Sequence, residues 1–189
     1  MLSNNYIKIL DFVNQYGGIT IDIAKNLFYN SKYGYDSSRR ALSKLQQEGY
    51  LKASIDFVTA KKVYYKTKTI SSHKLMLLSL YSFLTFTGSN ILEFKRELPT
   101  GSVRSDGLII YEYKKLTKIL FIEIDINNKT KVDKYQKLYE EGILQRQFGT
   151  FPRVLIVNKD GKSYNSKGKK IGYKNIYTDY SFKGLENII

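Results

Sequence analysis

Residues 154 to 157 read Val-Leu-Ile-Val, four apolar side chains in succession with no polar position left to face water. Neighbouring side chains of a strand leave opposite faces of a sheet, so such a run must be covered on both sides. The preceding stretch, KVDKYQKLYEEGIL at residues 131–144, repeats Val132, Tyr135 and Leu138 or Tyr139 on one side of a helix. Ahead of it stand three strand-like stretches, ILEFKRE, DGLIIYEY and KILFIEID, at residues 91–97, 106–113 and 118–125. Three meandering strands, a crossover helix and a buried strand make a mixed sheet flanked by helices. A weak last strand is expected near IYTDY, residues 176–180, within a polar, lysine-rich end that begins at Ser163.

The first seventy residues have a different rhythm. YIKILDFVNQY, residues 6–16, places Ile7, Leu10, Phe12 or Val13 and Tyr16 at helical spacing, and Gly17-Gly18 ends it. Thr20 is set to cap a short helix, IDIAKNLF, with Ile23, Ala24 and Leu27 as its apolar stripe. After a loop over residues 29–35, Asp36 or Ser37 is expected to cap a third helix that buries Ala41, Leu42 and Leu45 and stops at Gly49. LKASIDFV and KKVYYKTK then alternate apolar with polar residues around Thr59-Ala60, which predicts a hairpin. Ser71 or Ser72 caps an apolar helix over residues 73–86. Its run LMLLSLYSFLTF is twelve residues long, against the roughly 20 that a membrane span needs. His73, the single histidine, is assigned no role.

Composition narrows the partner. The formal charge is +14, carried by 31 basic against 17 acidic residues. An excess of this size points to a polyanion, nucleic acid or an anionic membrane face. An AT-rich genome would also enrich lysine without any selection for binding. Residues 1–70 hold eleven bases and five acids, residues 71–125 seven and six, and residues 126–189 thirteen and six. The charge therefore sits at the two ends, which favours nucleic acid as the partner and no membrane. There are no cysteines, so disulfides, thiolate zinc sites and a cysteine nucleophile are excluded. The amino terminus MLSNNYIKIL lacks the charged-then-apolar plan of a signal peptide, and a cytoplasmic location is expected.

Helix, short helix, capped helix and hairpin is the order of a winged helix-turn-helix, and "SRRALSKLQQEGYLK" resembles the third helix and first wing strand of that family. The resemblance implies DNA contacts from Ser37, Ser38, Arg39 and Arg40 in the first turns of the third helix, with Lys44 one turn on. Arginine can pair bidentately with guanine, and recognition helices meet base edges near their amino ends. The wing offers Lys61, Lys62, Tyr64, Lys66 and Lys68, whose lysines would add affinity without sequence information. An Arg-Arg pair just inside a helix cap runs against the helix dipole, a placement that suits an arriving phosphate or base.

The second part, with an Asp opening one strand and Glu-x-Asp ending the next, resembles the core of PD-(D/E)xK nucleases. The whole chain is similar to the replication-relaxation family of plasmid and mobile-element proteins, through the winged helix, "RSDGLIIY", "LFIEIDINNKT" and "KVDKYQKLYEEG". That resemblance implies an accessory role in plasmid replication or conjugative transfer, at an origin and beside a relaxase or initiator. In the nuclease core two acids bind magnesium, which activates water, and Asp106 and Glu123 match those positions. A lysine usually stands third, whereas this chain has Asp125. Glu123 and Asp125 are two apart on a strand and share a face, so the three carboxylates are a candidate metal site. Lys134, or Lys131 before it, would supply a displaced catalytic amine.

Solvated acids at strand ends also occur with no chemistry attached, and Asp near an Asn-Asn turn supports turn formation. Relaxase chemistry itself is excluded, because it needs a histidine cluster and the chain has one His. The reading is thus an α+β protein in two domains. Residues 1–70 form a winged-helix DNA-binding domain, and residues 71–189 a degenerate nuclease-like mixed α/β domain. It is expected to bind duplex DNA sequence-specifically, as a homodimer, with no cofactor required. The alternatives are a magnesium-dependent DNA endonuclease and a transcriptional repressor.

Overall fold

The computed structural model describes residues 3–101, 103–163 and 172–185. Residues 164–171 and 186–189 of the lysine-rich end therefore lie outside the described residues. Among the described residues the chain is a mixed α and β protein with six helices and two sheets. It divides into two compact units, Met1–Gly88 and Ser89–Ile189.

In the first unit, α1 (Asn4–Tyr16) ends where Gly17 takes φ 95° and donates its N–H to the Val13 carbonyl at 2.8 Å, a conformation glycine adopts without a Cβ penalty. The strand β1 (Ile19–Thr20) leads directly into α2 (Ile21–Phe28), whose first turn is capped by the Thr20 hydroxyl accepting from the Ile23 N–H. Helix α3 (Gly34–Gln47) follows, then β2 (Lys52–Ile55) and β3 (Lys62–Tyr65). β3 lies between β1 and β2, antiparallel to both. The β1 pairing was not expected from the sequence, since two residues are too few to show an alternation.

Helix α4 (Ser72–Phe86) buries Leu75, Met76, Leu77, Leu78, Leu80 and Leu84, and Ser71 caps it by accepting from the Lys74 N–H. The boundary between units falls after Gly88 rather than after residue 70. The reason is local packing of α4 on the helices before it. Asn26 donates to the Ser82 hydroxyl at 3.4 Å, Tyr16 and Tyr81 bring their rings to 6.0 Å, and Lys25 lies over the Phe86 ring. Among the described residues no helix is long and apolar enough to cross a membrane.

The second unit is one five-stranded sheet in the order β4-β5-β6-β7-β8. β4 (Asn90–Thr100), β5 (Val103–Tyr113) and β6 (Leu116–Ile124) are antiparallel neighbours, while β7 (Arg153–Val157) and β8 (Asn175–Thr178) add in parallel. The connection from β6 to β7 carries α5 (Val132–Glu140) and α6 (Ile143–Phe148). The single helix expected over residues 131–144 is thus two, because Gly142 takes φ 66° and breaks it. Tyr135, Leu138 and Leu144 pack with Leu108, Phe121, Val154 and Ile156 on one face of the sheet. Tyr173 clamps the start of α5, donating its hydroxyl to the Val132 carbonyl at 2.8 Å.

Candidate functional site

Helix α3 starts at Gly34, three or four residues earlier than its side chains suggest. Gly34 makes this possible: a Cβ there would lie 1.8 Å from the Tyr29 carbonyl oxygen. Asp36 is therefore in the first turn rather than at the cap, and Arg39 and Arg40 lie one turn further along the helix than expected. The dipole penalty proposed for them fades at that distance. Arg39, Arg40 and Lys44 are exposed, whereas Ser37 is half-buried. Arg39 pairs with Asp36 at 3.4 Å, and Lys44 with Glu48 at 3.8 Å. Exposed pairs of this kind hold their cations weakly, so both remain open to a stronger anion. Ser38 does not belong to this face. It is fully buried and donates its hydroxyl to the Gly34 carbonyl at 2.7 Å, because it stands three, four and seven residues before Ala41, Leu42 and Leu45 on the buried stripe of the helix.

The hairpin also departs from expectation. Its turn is not Thr59-Ala60 alone but the loop Asp56–Lys61, closed by the Asp56 N–H donating to the Lys61 carbonyl at 2.9 Å. Tyr64 is 1% exposed; it lies on the central strand, between Ile19 of β1 and Ala53 of β2, with the Lys62 ammonium 5.1 Å from its ring centroid. It cannot touch DNA. Lys62, Lys66 and Lys68 are exposed, and Lys61 pairs with Asp22 at 2.8 Å. The loop holds up Ile55, Phe57 and Val58 as exposed apolar side chains. In the sequence they read only as strand alternation, and nothing there marked them as a tip.

In the second unit Asp106, Glu123 and Asp125 all project to the face that carries α5, as the alternation of β5 and β6 requires. Each carboxylate has protein partners. The β5–β6 ladder ends at Gly107 and Ile122, and beyond it Asp106 accepts from the Ile124 N–H at 2.7 Å. Asp125 closes the loop after β6, accepting from the Thr130 N–H at 3.1 Å and from the Thr130 hydroxyl at 2.7 Å. Thr130 was legible in the sequence only as part of a turn.

Glu123 is 6% exposed. It accepts from the Lys134 ammonium at 2.8 Å and from the Tyr135 hydroxyl. Burial pushes its carboxyl above the ordinary range, with Asp106 adding to the rise, although the Lys134 and Tyr135 hydrogen bonds oppose it. Burial also pushes the Tyr135 phenol up, reinforced by the charge of Glu123. Lys134, and not the exposed Lys131, reaches the site. Among the described residues no three acids or histidines are arranged to hold a metal ion. The local cation balance at Glu123 comes from a lysine.

Beyond the carboxyl ends of β6 and β7 opens a cleft of about 570 Å³, lined by Asp125 to Lys129 and by Asn158, Lys159 and Asp160. This is where open α/β sheets usually place ligands. Its charges are balanced, two acids against two lysines, and it carries no phosphate-binding glycine loop. No family model, curated protein or solved structure matches the chain.

Proposed function

We propose that the chain is a sequence-specific duplex-DNA-binding protein whose first unit is a winged helix and whose second is a nuclease-like core that no longer cuts. The observation that carries this reading is the exposed cationic face of α3. Arg39, Arg40 and Lys44 are presented by a helix that buries Ala41, Leu42 and Leu45 behind them, and the next elements are a lysine-flanked hairpin. Arginines on such a helix supply base readout, and the lysines of the hairpin supply phosphate contacts. A dimer supplies the second half-site. The role as an accessory of plasmid or mobile-element replication or transfer, in the cytoplasm and beside a relaxase or initiator, rests on the resemblance of RSDGLIIY, LFIEIDINNKT and the α5 stretch to that family.

A magnesium-dependent endonuclease is the second reading, and what favours it is that Asp106 accepts from the N–H of Ile124, the residue next to Glu123, and adds to the rise of the Glu123 carboxyl. Against it stand Lys134 on Glu123 and the backbone and Thr130 bonds that occupy Asp106 and Asp125. A salt-dependent DNA-binding titration, with and without magnesium and scored for cleavage on the same gel, separates them. Arg39→Ala/Arg40→Ala is expected to abolish site preference, and Asp106→Ala/Glu123→Ala to change neither binding nor the DNA. Magnesium-dependent nicks that vanish in the carboxylate variant would give the enzyme reading the field.

A further inference from the structure

The tip of the β2–β3 hairpin holds three apolar side chains away from the protein. Phe57 is 99% exposed, and Ile55 and Val58 beside it are exposed as well. A ring packed on nothing gives the fold no burial. It is not on a loose loop either. Asp56, immediately before it, accepts from the Thr59 N–H at 2.8 Å, from the Thr59 hydroxyl at 2.6 Å and from the Ser72 hydroxyl at the start of α4. Ala60, at φ 55°, completes the turn. Phe57 is therefore presented on a fixed support.

The surroundings of the ring say what it meets. Between Tyr50 and Ile70 the chain carries five lysines, and Asp56 is the single acid. That acid directs its oxygens into the turn, so an apolar tip rises from a cationic base. The occupant must combine dense negative charge with an apolar interior reachable between the charges. Duplex DNA has both: phosphates along each groove edge, and base steps that apolar side chains enter from the minor groove.

We propose that Phe57 is a wedge that enters a base-pair step of bound duplex DNA from the minor groove, with Ile55 and Val58 against the sugar edges and the hairpin lysines on flanking phosphates. This rests on the DNA-binding reading and adds a consequence which that reading does not require. The bound duplex is kinked and locally unstacked.

The chain contains no tryptophan, so Phe57→Trp carries its sole indole and reports directly on stacking. Relaxing closed circular plasmid DNA with a topoisomerase in the presence of the full chain reads unstacking as a change in linking number. The wild type and Phe57→Trp are expected to shift the linking number, with indole emission quenched on DNA. Phe57→Ala is expected to bind a short duplex about tenfold more weakly, within the range that one stacked ring is worth, and to leave the linking number unshifted. A wild type that binds the duplex without shifting the linking number overturns the wedge and leaves DNA binding intact. Indole emission that responds to vesicles of phosphatidylglycerol and not to DNA reassigns the tip to an anionic membrane. Loss of self-association in Phe57→Ala, by sedimentation, reassigns it to a second copy of the chain. A wild type that binds no duplex at low salt removes the parent reading, and the wedge with it.

Discussion

Replacing Lys134 with methionine keeps the aliphatic stem and deletes the charge that faces Glu123 at 2.8 Å. Glu123 is then a buried carboxylate with the Tyr135 hydroxyl and no cation. Breaking a buried pair by removing one partner costs about 3–5 kcal/mol when the remaining charge must stay ionised. It need not stay ionised, because it can take up a proton on folding. That alternative costs about 1.4 kcal/mol for each pH unit above the unfolded-state value, which is about 4.5 for Glu. The penalty is therefore capped near ~3 kcal/mol at pH 7 and below ~1 kcal/mol at pH 5.

The sign follows from the direction of the shift. The folded value of Glu123 is raised, so its contribution to stability is greatest below the unfolded value and is lost as pH rises through the folded one. Removing Lys134 takes away two of the effects that hold the rise in check and moves the loss to higher pH. Hydrogen exchange at the amides of Phe121, Ile122 and Ile124, corrected for intrinsic rates at pH 5, 6 and 7, reads β6 directly and is independent of whether the first unit unfolds separately. A destabilisation that is equal at pH 5 and pH 7 would refute the reasoning, since the lost interaction would then involve no buried ionised carboxylate. Glu123→Gln/Lys134→Met, which removes both charges and keeps an acceptor for Tyr135, is expected to recover most of the loss at pH 7.

The other predictions concern the first unit. Lys62→Ala is expected to weaken binding to all duplexes alike and to reduce the salt dependence by about 0.9 in log–log slope, the value of one phosphate contact; Arg40→Ala should instead lose about 1–3 kcal/mol at one base position of the preferred site in a competition assay. Gly34→Ala drives a Cβ against the Tyr29 carbonyl, so it should destabilise the fold by about 1–3 kcal/mol in denaturant titration and weaken DNA binding as α3 shifts. Asp56→Ala removes three acceptor bonds from the hairpin turn. Burial pushes the Asp56 carboxyl up, but the Ser72 and Thr59 bonds outweigh it and hold it below the ordinary range, so the loss of about 1–2 kcal/mol expected at pH 7 should vanish as pH falls through that lowered value.

The sequence reveals this chain wherever one period dominates. Gly17 closing α1, the Thr20 cap and the buried run of β7 follow from side chains that admit few other conformations. It misleads where a backbone contact decides. Asp36 and Ser37 look like caps, yet the close approach of Gly34 to Tyr29 starts α3 earlier. Tyr64 looks like a groove contact because it stands between lysines, but the pairing of β3 between β1 and β2 buries it. Gly142 reads as one small residue in a helical pattern and in fact ends α5. These three misses share a cause. A long-range or backbone constraint overrode a local preference that was itself correctly identified.

The same distinction bears on the carboxylates, whose spacing in the sequence fits a catalytic site and a structural one equally well. What separates the two is where the hydrogen bonds go. A magnesium site needs oxygens left open to the ion and to water. Here Asp106 takes a backbone N–H just beyond the end of a strand ladder, Asp125 ties down the loop to Thr130, and Glu123 holds Lys134 and Tyr135. A lysine that serves hydrolysis must also be free to orient water, whereas the Lys134 ammonium is the counter-charge that lets Glu123 stay buried at neutral pH. Stability and turnover thus make opposing demands on one side chain. If Lys134→Met proves destabilising at pH 7 and harmless at pH 5, the lysine is committed to the fold, and the reading of the second unit as a core that has kept its acids and lost its chemistry gains its physical reason.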